Sequence, residues 1–186
     1  MYLYRKASIS DYAELVELIA LSVRKLARHD YSTEQIEAAI GNVWGVDKEL
    51  IIDQTYFVVT LESGSIIACG GWGKRRKLFG ASSESKNGLE IKKSPLLNPN
   101  KEPARIRAFF VHPEHIRHGI GRNLIKLCED DARSHGFRKM ELMATLPGYR
   151  LYKSCGYTGE KRVEVPVSGS SNLTHTCVPM SKLLQS

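Results

Sequence analysis

The segment that most limits how this chain can fold is Val111-His112-Pro113-Glu114-His115-Ile116-Arg117-His118-Gly119-Ile120-Gly121-Arg122-Asn123. It leaves an apolar strand end, crosses a basic glycine-containing loop and enters a helix directly. The first turn of a helix carries main-chain N–H groups without partners inside the helix, and the helix dipole adds partial positive charge there. Glycines without a Cβ let an anion approach that backbone, and Arg117, His118 and Arg122 add charge around it. The segment is therefore a candidate cradle for a pyrophosphate. A nucleotide-hydrolase loop, G-x-x-x-x-G-K-S/T, is absent, and a dinucleotide fingerprint would need glycine where Leu124 stands.

The rest of the chain alternates strand and helix patterns. Residues 1–6 read as a strand. Leu15, Val16, Ile19, Val23 and Leu26 follow at helical spacing after Ser10-Asp11. Ser32 and Gln35 have the form of a capping box, and Ile36, Ala39, Ile40, Val43 and Trp44 make one apolar stripe behind it. Residues 55–61 and 65–72, joined through Glu62-Ser63-Gly64, predict a β-hairpin. Periodicity is lost over residues 74–103, which read as either a lid or an unstructured insertion. Order returns with a strand at 105–111, a helix over 121–135 closed by Gly136, a strand at 139–144 and a short helix at 148–154. Residues 157–167 and 174–184 predict a terminal hairpin. With 186 residues in total, one domain spanning 1–186 is expected.

Composition removes several function classes. The apolar stretch from Ala13 to Leu26 is broken by Glu14, Glu17, Arg24 and Lys25, and no run approaches the ~20 apolar residues of a membrane span. A cytoplasmic location without membrane association is expected. Cys69, Cys128, Cys155 and Cys177 are far apart, which predicts reduced thiols rather than a disulfide scaffold or zinc ribbon. His112, His115 and His118 are interrupted by a proline and the glycine loop, so no metal site is expected. The 27 basic residues against 20 acidic give a net charge of +7. That excess suits a phosphorylated ligand, and without an RNA-binding motif nucleic acid is not an expected partner.

Downstream of the loop lies Leu151-Tyr152-Lys153-Ser154-Cys155-Gly156-Tyr157. Together the two segments resemble the GNAT superfamily of N-acetyltransferases. The first is similar to that family's Gln/Arg-x-x-Gly-x-Gly/Ala coenzyme A loop, the second to its Phe/Leu-Tyr-x-x-x-Gly-Phe/Tyr signature. The order of strands and helices along the whole chain agrees with it. The resemblance implies an α/β GNAT-like (acyl-CoA N-acyltransferase) fold, with a central mixed, mostly antiparallel sheet flanked by helices. It implies acetyl-CoA as co-substrate. Backbone groups of Phe109, Phe110 and Val111 would line the pantetheine arm and thioester carbonyl, and the loop Ile116, Arg117, His118, Gly119, Ile120, Gly121 and Arg122 would hold the pyrophosphate. Tyr152 would protonate the departing thiolate. Two positions depart from the pattern: Ile116 replaces the usual Gln or Arg, and Thr145 stands where many relatives carry asparagine near the pantetheine.

The implied reaction is direct acetyl transfer to an amine. Glu90, Glu102, His112 and Glu141 are candidate general bases, and no motif selects among them. A small-molecule amine is the leading acceptor, and Tyr12, Tyr31, Trp44 and Trp72 are candidate pocket aromatics. A non-catalytic acyl-CoA-binding module, or a macromolecular acceptor such as a protein lysine or an aminoacylated RNA, stays open as an alternative. By analogy with relatives, the terminal strands are also candidates for pairing in a homodimer.

Overall fold

A computed structural model of the chain describes residues 1–76, 94–167 and 172–184. Its elements are β1 (Leu3–Lys6), α1 (Tyr12–Leu26), α2 (Thr33–Ala39), α3 (Lys48–Ile52), β2 (Tyr56–Thr60), β3 (Ile66–Gly73), β4 (Ala104–Val111), α4 (Ile120–Ser134), β5 (Lys139–Thr145), α5 (Leu146–Ser154), β6 (Val163–Pro166) and β7 (Thr174–Leu183). The strands form a seven-stranded sheet in the order β1-β2-β3-β4-β5-β7-β6. Only β4 and β5 run parallel; the other neighbours are antiparallel. This is the mixed, mostly antiparallel sheet expected from the sequence.

Strands β2 and β3 are buried on both faces, which is why they read as near-continuous apolar runs. Their alternate residues serve opposite layers. Tyr56 and Val58 pack with Leu15, Ile19 and Val23 of α1, whereas Phe57 and Val59 pack with Leu124, Ile125 and Cys128 of α4. A helical layer therefore covers each side of the sheet.

The chain enters α1 through a tight polar junction. Asp11 receives both ends of the Arg5 guanidinium at 2.7 and 2.8 Å and the Ser8 N–H at 2.8 Å. The Arg5 hydrogen bond, more than any other contact, lowers the Asp11 carboxyl from 3.8 to about 2. The capping box at α2 forms in both directions, Gln35 N–H to Ser32 Oγ at 3.2 Å and Ser32 N–H to Gln35 Oε1 at 2.8 Å.

The apolar stripe behind that box does not continue as helix, however. Helix α2 stops at Ala39, Gly41 takes a positive φ of 81°, and Trp44 returns to donate its N–H to the Ala39 carbonyl at 2.9 Å. Helix α3 was not signalled by periodicity. It begins where Asp47 accepts the Glu49 N–H. Of the aperiodic stretch 74–103, residues 77–93 lie outside the described residues.

Candidate active site

The site begins where the parallel pair comes apart. Strands β4 and β5 pair only at Ala104–Met140 and Arg105–Glu141. Arg105 Nε donates to Glu141 Oε1 at 2.8 Å across that joint. Beyond it the two strands diverge, and a cavity of about 110 Å³ occupies the opening. Its walls include Arg107 to Phe110 of β4, Leu142, Met143 and Thr145 of β5, Tyr152 of α5, and His175 and Cys177 of β7.

Strand β4 also bulges here. Cys69 pairs with Phe110 and Gly71 with Arg107, so two steps along β3 oppose three along β4. The extra residue is accommodated at Ala108, whose φ is 55°. A non-glycine residue in that conformation is strained, and it persists where its surroundings hold it. Tyr56, fully buried, donates its hydroxyl to the Ala108 carbonyl at 3.0 Å. The Phe109 ring lies over Gly70 so closely that a Cβ there would come within 2.6 Å of it. Further along, Ser22 Oγ donates to the Val111 carbonyl at 2.8 Å and fixes the strand's end to α1.

From β4 the chain turns through the glycine loop into α4. Arg117 and Gly119 both have positive φ, 67° and 79°. Asn123 N–H to the Gly119 carbonyl, 3.0 Å, is the first helical hydrogen bond. The main-chain N–H groups of Ile120, Gly121 and Arg122 therefore point out of the helix end without intrahelical acceptors. Ile116, Arg117 and His118 are exposed around them, while the Ile120 side chain is buried in the core.

The two glycines have different physical reasons. Gly119 supplies a left-handed turn with open space around it, whereas a Cβ on Gly121 would meet Leu151 Cδ2 of α5 at 2.8 Å. Gly121 thus permits close packing of α4 on α5. Arg122 extends that junction, donating to the Ser154 carbonyl at 3.4 Å and Oγ at 3.3 Å.

Tyr152 is buried between two rings, edge-on to Phe109 at 6.3 Å and to Tyr157 at 6.0 Å. Its hydroxyl makes no hydrogen bond among the described residues, and burial raises it above the ordinary tyrosine range. A hydroxyl so placed stays protonated at neutral pH and has its bonding capacity free.

The fold thus gathers Phe109, Phe110, Thr145 and Tyr152 at one cavity. Ile116 to Arg122 do not line it; they form the loop and helix end that meet α5 through Gly121 and Arg122.

The acceptor-side candidates separate. Trp44 lines the cavity, and Tyr31 packs against it with ring centroids 5.3 Å apart. Trp72 is on the other layer, where its indole donates to Asp131 at 2.7 Å, and Tyr12 sits beneath the Lys48 ammonium. Among the carboxylates and histidines weighed as bases, Glu141 is committed to Arg105 and Glu102 to Arg76 and the Asn98 N–H. His112 caps a short 3₁₀ turn by accepting the Glu114 N–H. None of these three lines the cavity; Glu90 lies outside the described residues. The cavity instead holds His175 and a buried Asp47–Arg107 ion pair, which no sequence motif announced.

Cys69, Cys128, Cys155 and Cys177 are all free thiols. Among the described residues, no group of three or more His, Cys, Asp or Glu is placed to hold a metal. No described helix is long and apolar enough to cross a membrane.

The model of the acetyltransferase (GNAT) family matches residues 20–157. A sequence comparison with curated proteins gives no match. Among solved structures, a GCN5-related N-acetyltransferase from Rhodopseudomonas palustris superposes with a TM-score of 0.69 at 19% identity, covering 98% of this chain and 95% of that one. The PaiA N-acetyltransferase of Thermoplasma acidophilum, solved in complex with coenzyme A, gives 0.65 at 17% identity, covering 98% and 99%. The YncA protein of Salmonella typhimurium, solved with its cofactor acetyl-CoA, gives 0.63 at 17% identity, covering 100% and 95%.

Proposed function

The chain belongs to the GNAT family of acetyltransferases, and from that premise we propose that it passes the acetyl group of acetyl-CoA directly to the amine of a small molecule, with Tyr152 as general acid. The observation that carries this reading is the opening between β4 and β5, with Tyr152 at one wall and the α4 N-terminus packed through Gly121 against Leu151 of the helix that bears Tyr152. Its parts suit an elongated thioester bearing a pyrophosphate. The free N–H groups of Ile120, Gly121 and Arg122 present a positive helix end to the phosphates, and the positive φ of Arg117 and Gly119 shapes the loop in front of them. The β4 bulge takes Ala108 and Phe109 out of the paired register, and both residues line the cavity. There a main-chain N–H can stabilise the oxyanion formed when an amine attacks the thioester carbonyl. Two solved neighbours, PaiA with coenzyme A and YncA with acetyl-CoA, support the same donor.

Bound acetyl-CoA supplies an activated acyl group with a thiolate leaving group. Tyr152 acts at that sulfur. Its hydroxyl is protonated and free of protein partners, so it can give its proton as the carbon–sulfur bond breaks. Direct attack is favoured over an acyl-enzyme because the cysteine in the cavity is a poor nucleophile: burial pushes the Cys177 thiol up to about 12.

Incubation of the protein with acetyl-CoA and a mixture of primary amines, followed by mass spectrometry, tests this. An N-acetylated small amine supports the proposal. Acetylation confined to proteins or aminoacylated RNA, or none despite bound acetyl-CoA, contradicts it.

A further inference from the structure

His175 is the unexplained group in this cavity. It lies on β7 opposite Val165, and its flanking residues Thr174 and Thr176 direct their hydroxyls to Glu164 at 2.8 and 2.6 Å. Strand alternation therefore sends His175 and Cys177 to the opposite, cavity-lining face. His175 is only 2% exposed and stands edge-on to Trp44 at 5.3 Å and to Tyr31 at 6.3 Å. Its Nδ1 is fully buried with no hydrogen-bond partner.

A polar atom buried unpaired is costly and rare, so an unpaired imidazole on a cavity wall calls for a ligand. The nearby Tyr31 hydroxyl has no proton left for His175: it donates to the Thr176 carbonyl at 2.7 Å and accepts the Leu146 N–H at 2.9 Å.

Resting on the amine-acceptor reading above, we propose that His175 takes the proton that the acceptor's ammonium group must lose before its nitrogen attacks. Elimination among the ionisable groups lining the cavity supports this. Asp47 is already committed to a buried ion pair with Arg107. Tyr152 and Cys177 are both raised by burial and stay protonated. Packed beside the cavity, Tyr31 is likewise raised, and exposed Glu164 from β6 favours the imidazolium. Burial outweighs that carboxylate and lowers His175 below its ordinary 6.5, so the ring is a neutral acceptor at physiological pH.

One N–H proton of the ammonium passes to His175, and the freed lone pair forms the carbon–nitrogen bond at the thioester carbonyl. The carbonyl oxygen carries the negative charge. When the carbonyl reforms, the carbon–sulfur bond breaks and sulfur takes the Tyr152 proton. The attacking nitrogen loses its second proton, which restores the Tyr152 hydroxyl, and His175 releases its proton to solvent.

The test is the pH dependence of kcat/KM for the amine in the full chain and in His175→Gln, with acetyl-CoA affinity measured on both. The wild type should gain activity as pH rises through an acid limb below about 6.5, set by the imidazole. His175→Gln should bind acetyl-CoA equally well, lose about 100-fold or more in kcat/KM near neutrality and lose that limb. A variant with the wild-type limb and rate overturns the proposal. Should the variant not bind acetyl-CoA, the wild type compared across amines of different basicity decides: a limb fixed in pH supports His175, and a limb that moves with the amine's own pKa overturns it. A wild type that binds acetyl-CoA but acetylates no amine at any pH removes the amine-acceptor reading, and the role of His175 falls with it.

Discussion

The Tyr56 hydroxyl donates to the carbonyl oxygen of Ala108 across 3.0 Å, tying β2 to the bulged residue of β4 across the intervening strand. That single contact links the centre of the sheet to the strained backbone at the cavity. Tyr56→Phe keeps the ring and removes the bond, leaving a carbonyl with one partner fewer. The expected loss is about 1 kcal/mol of stability, seen as a fall in melting temperature of ~2–4 °C for a chain this size. Acetyl transfer should fall as well, because the bulge relaxes. Unchanged melting and turnover would show that the bulge holds itself.

Gly119 and Gly121 stand two residues apart and should fail in different ways. Gly119→Ala meets no atoms but must hold φ near 79°, at a cost of about 1–2 kcal/mol. It should weaken acetyl-CoA binding by distorting the amide cradle. Gly121→Ala drives a methyl into Leu151 Cδ2 and forces that side chain to repack on α5, the helix that carries Tyr152. Its turnover should drop more than its acetyl-CoA affinity. Calorimetric titration alongside steady-state kinetics separates the two.

The Arg5–Asp11 junction should make stability depend on acid pH. The Asp11 carboxyl is lowered from 3.8 to about 2 in the fold, so its contribution is complete above the unfolded value and disappears as pH falls through the folded one. The stability gap between wild type and Asp11→Asn should therefore be full at pH 6 and close between about pH 4 and pH 2. Denaturant unfolding at a series of pH values measures it, and a gap that persists at pH 2 would contradict the assignment.

Features set by neighbouring residues were readable from sequence. Ser32 and Gln35 announced their capping box because both partners lie within one helical turn, and the loop from His112 to Arg122 announced a helix N-terminus by its glycine and basic residues. Tyr152, which lines the cavity, stands out in the sequence by its spacing to Gly156 and Tyr157. Features set by distant contacts were not. Trp44 reads as the continuation of a helical stripe, yet a turn at Gly41 brings it back toward Ala39 and onto the cavity wall. The Ala108 bulge depends on register with β3, which no local pattern encodes. His175 sits in an ordinary Thr-His-Thr strand alternation. It reaches the cavity that Tyr152 also lines only because β7 pairs with β5. Glu141 and Glu102 looked available as bases, and their arginine partners are visible only in three dimensions.

In the proposed mechanism Tyr152 is the proton donor to the departing thiolate. The most direct test of that role is release of free thiol from acetyl-CoA in the presence of a primary amine acceptor, compared between the wild type and Tyr152→Phe, with acetyl-CoA affinity measured on both. The prediction is thiol release by the wild type and a fall of about 10²–10⁴-fold in the variant, with affinity for acetyl-CoA retained. Equal rates in the two proteins would contradict the role given to the Tyr152 hydroxyl.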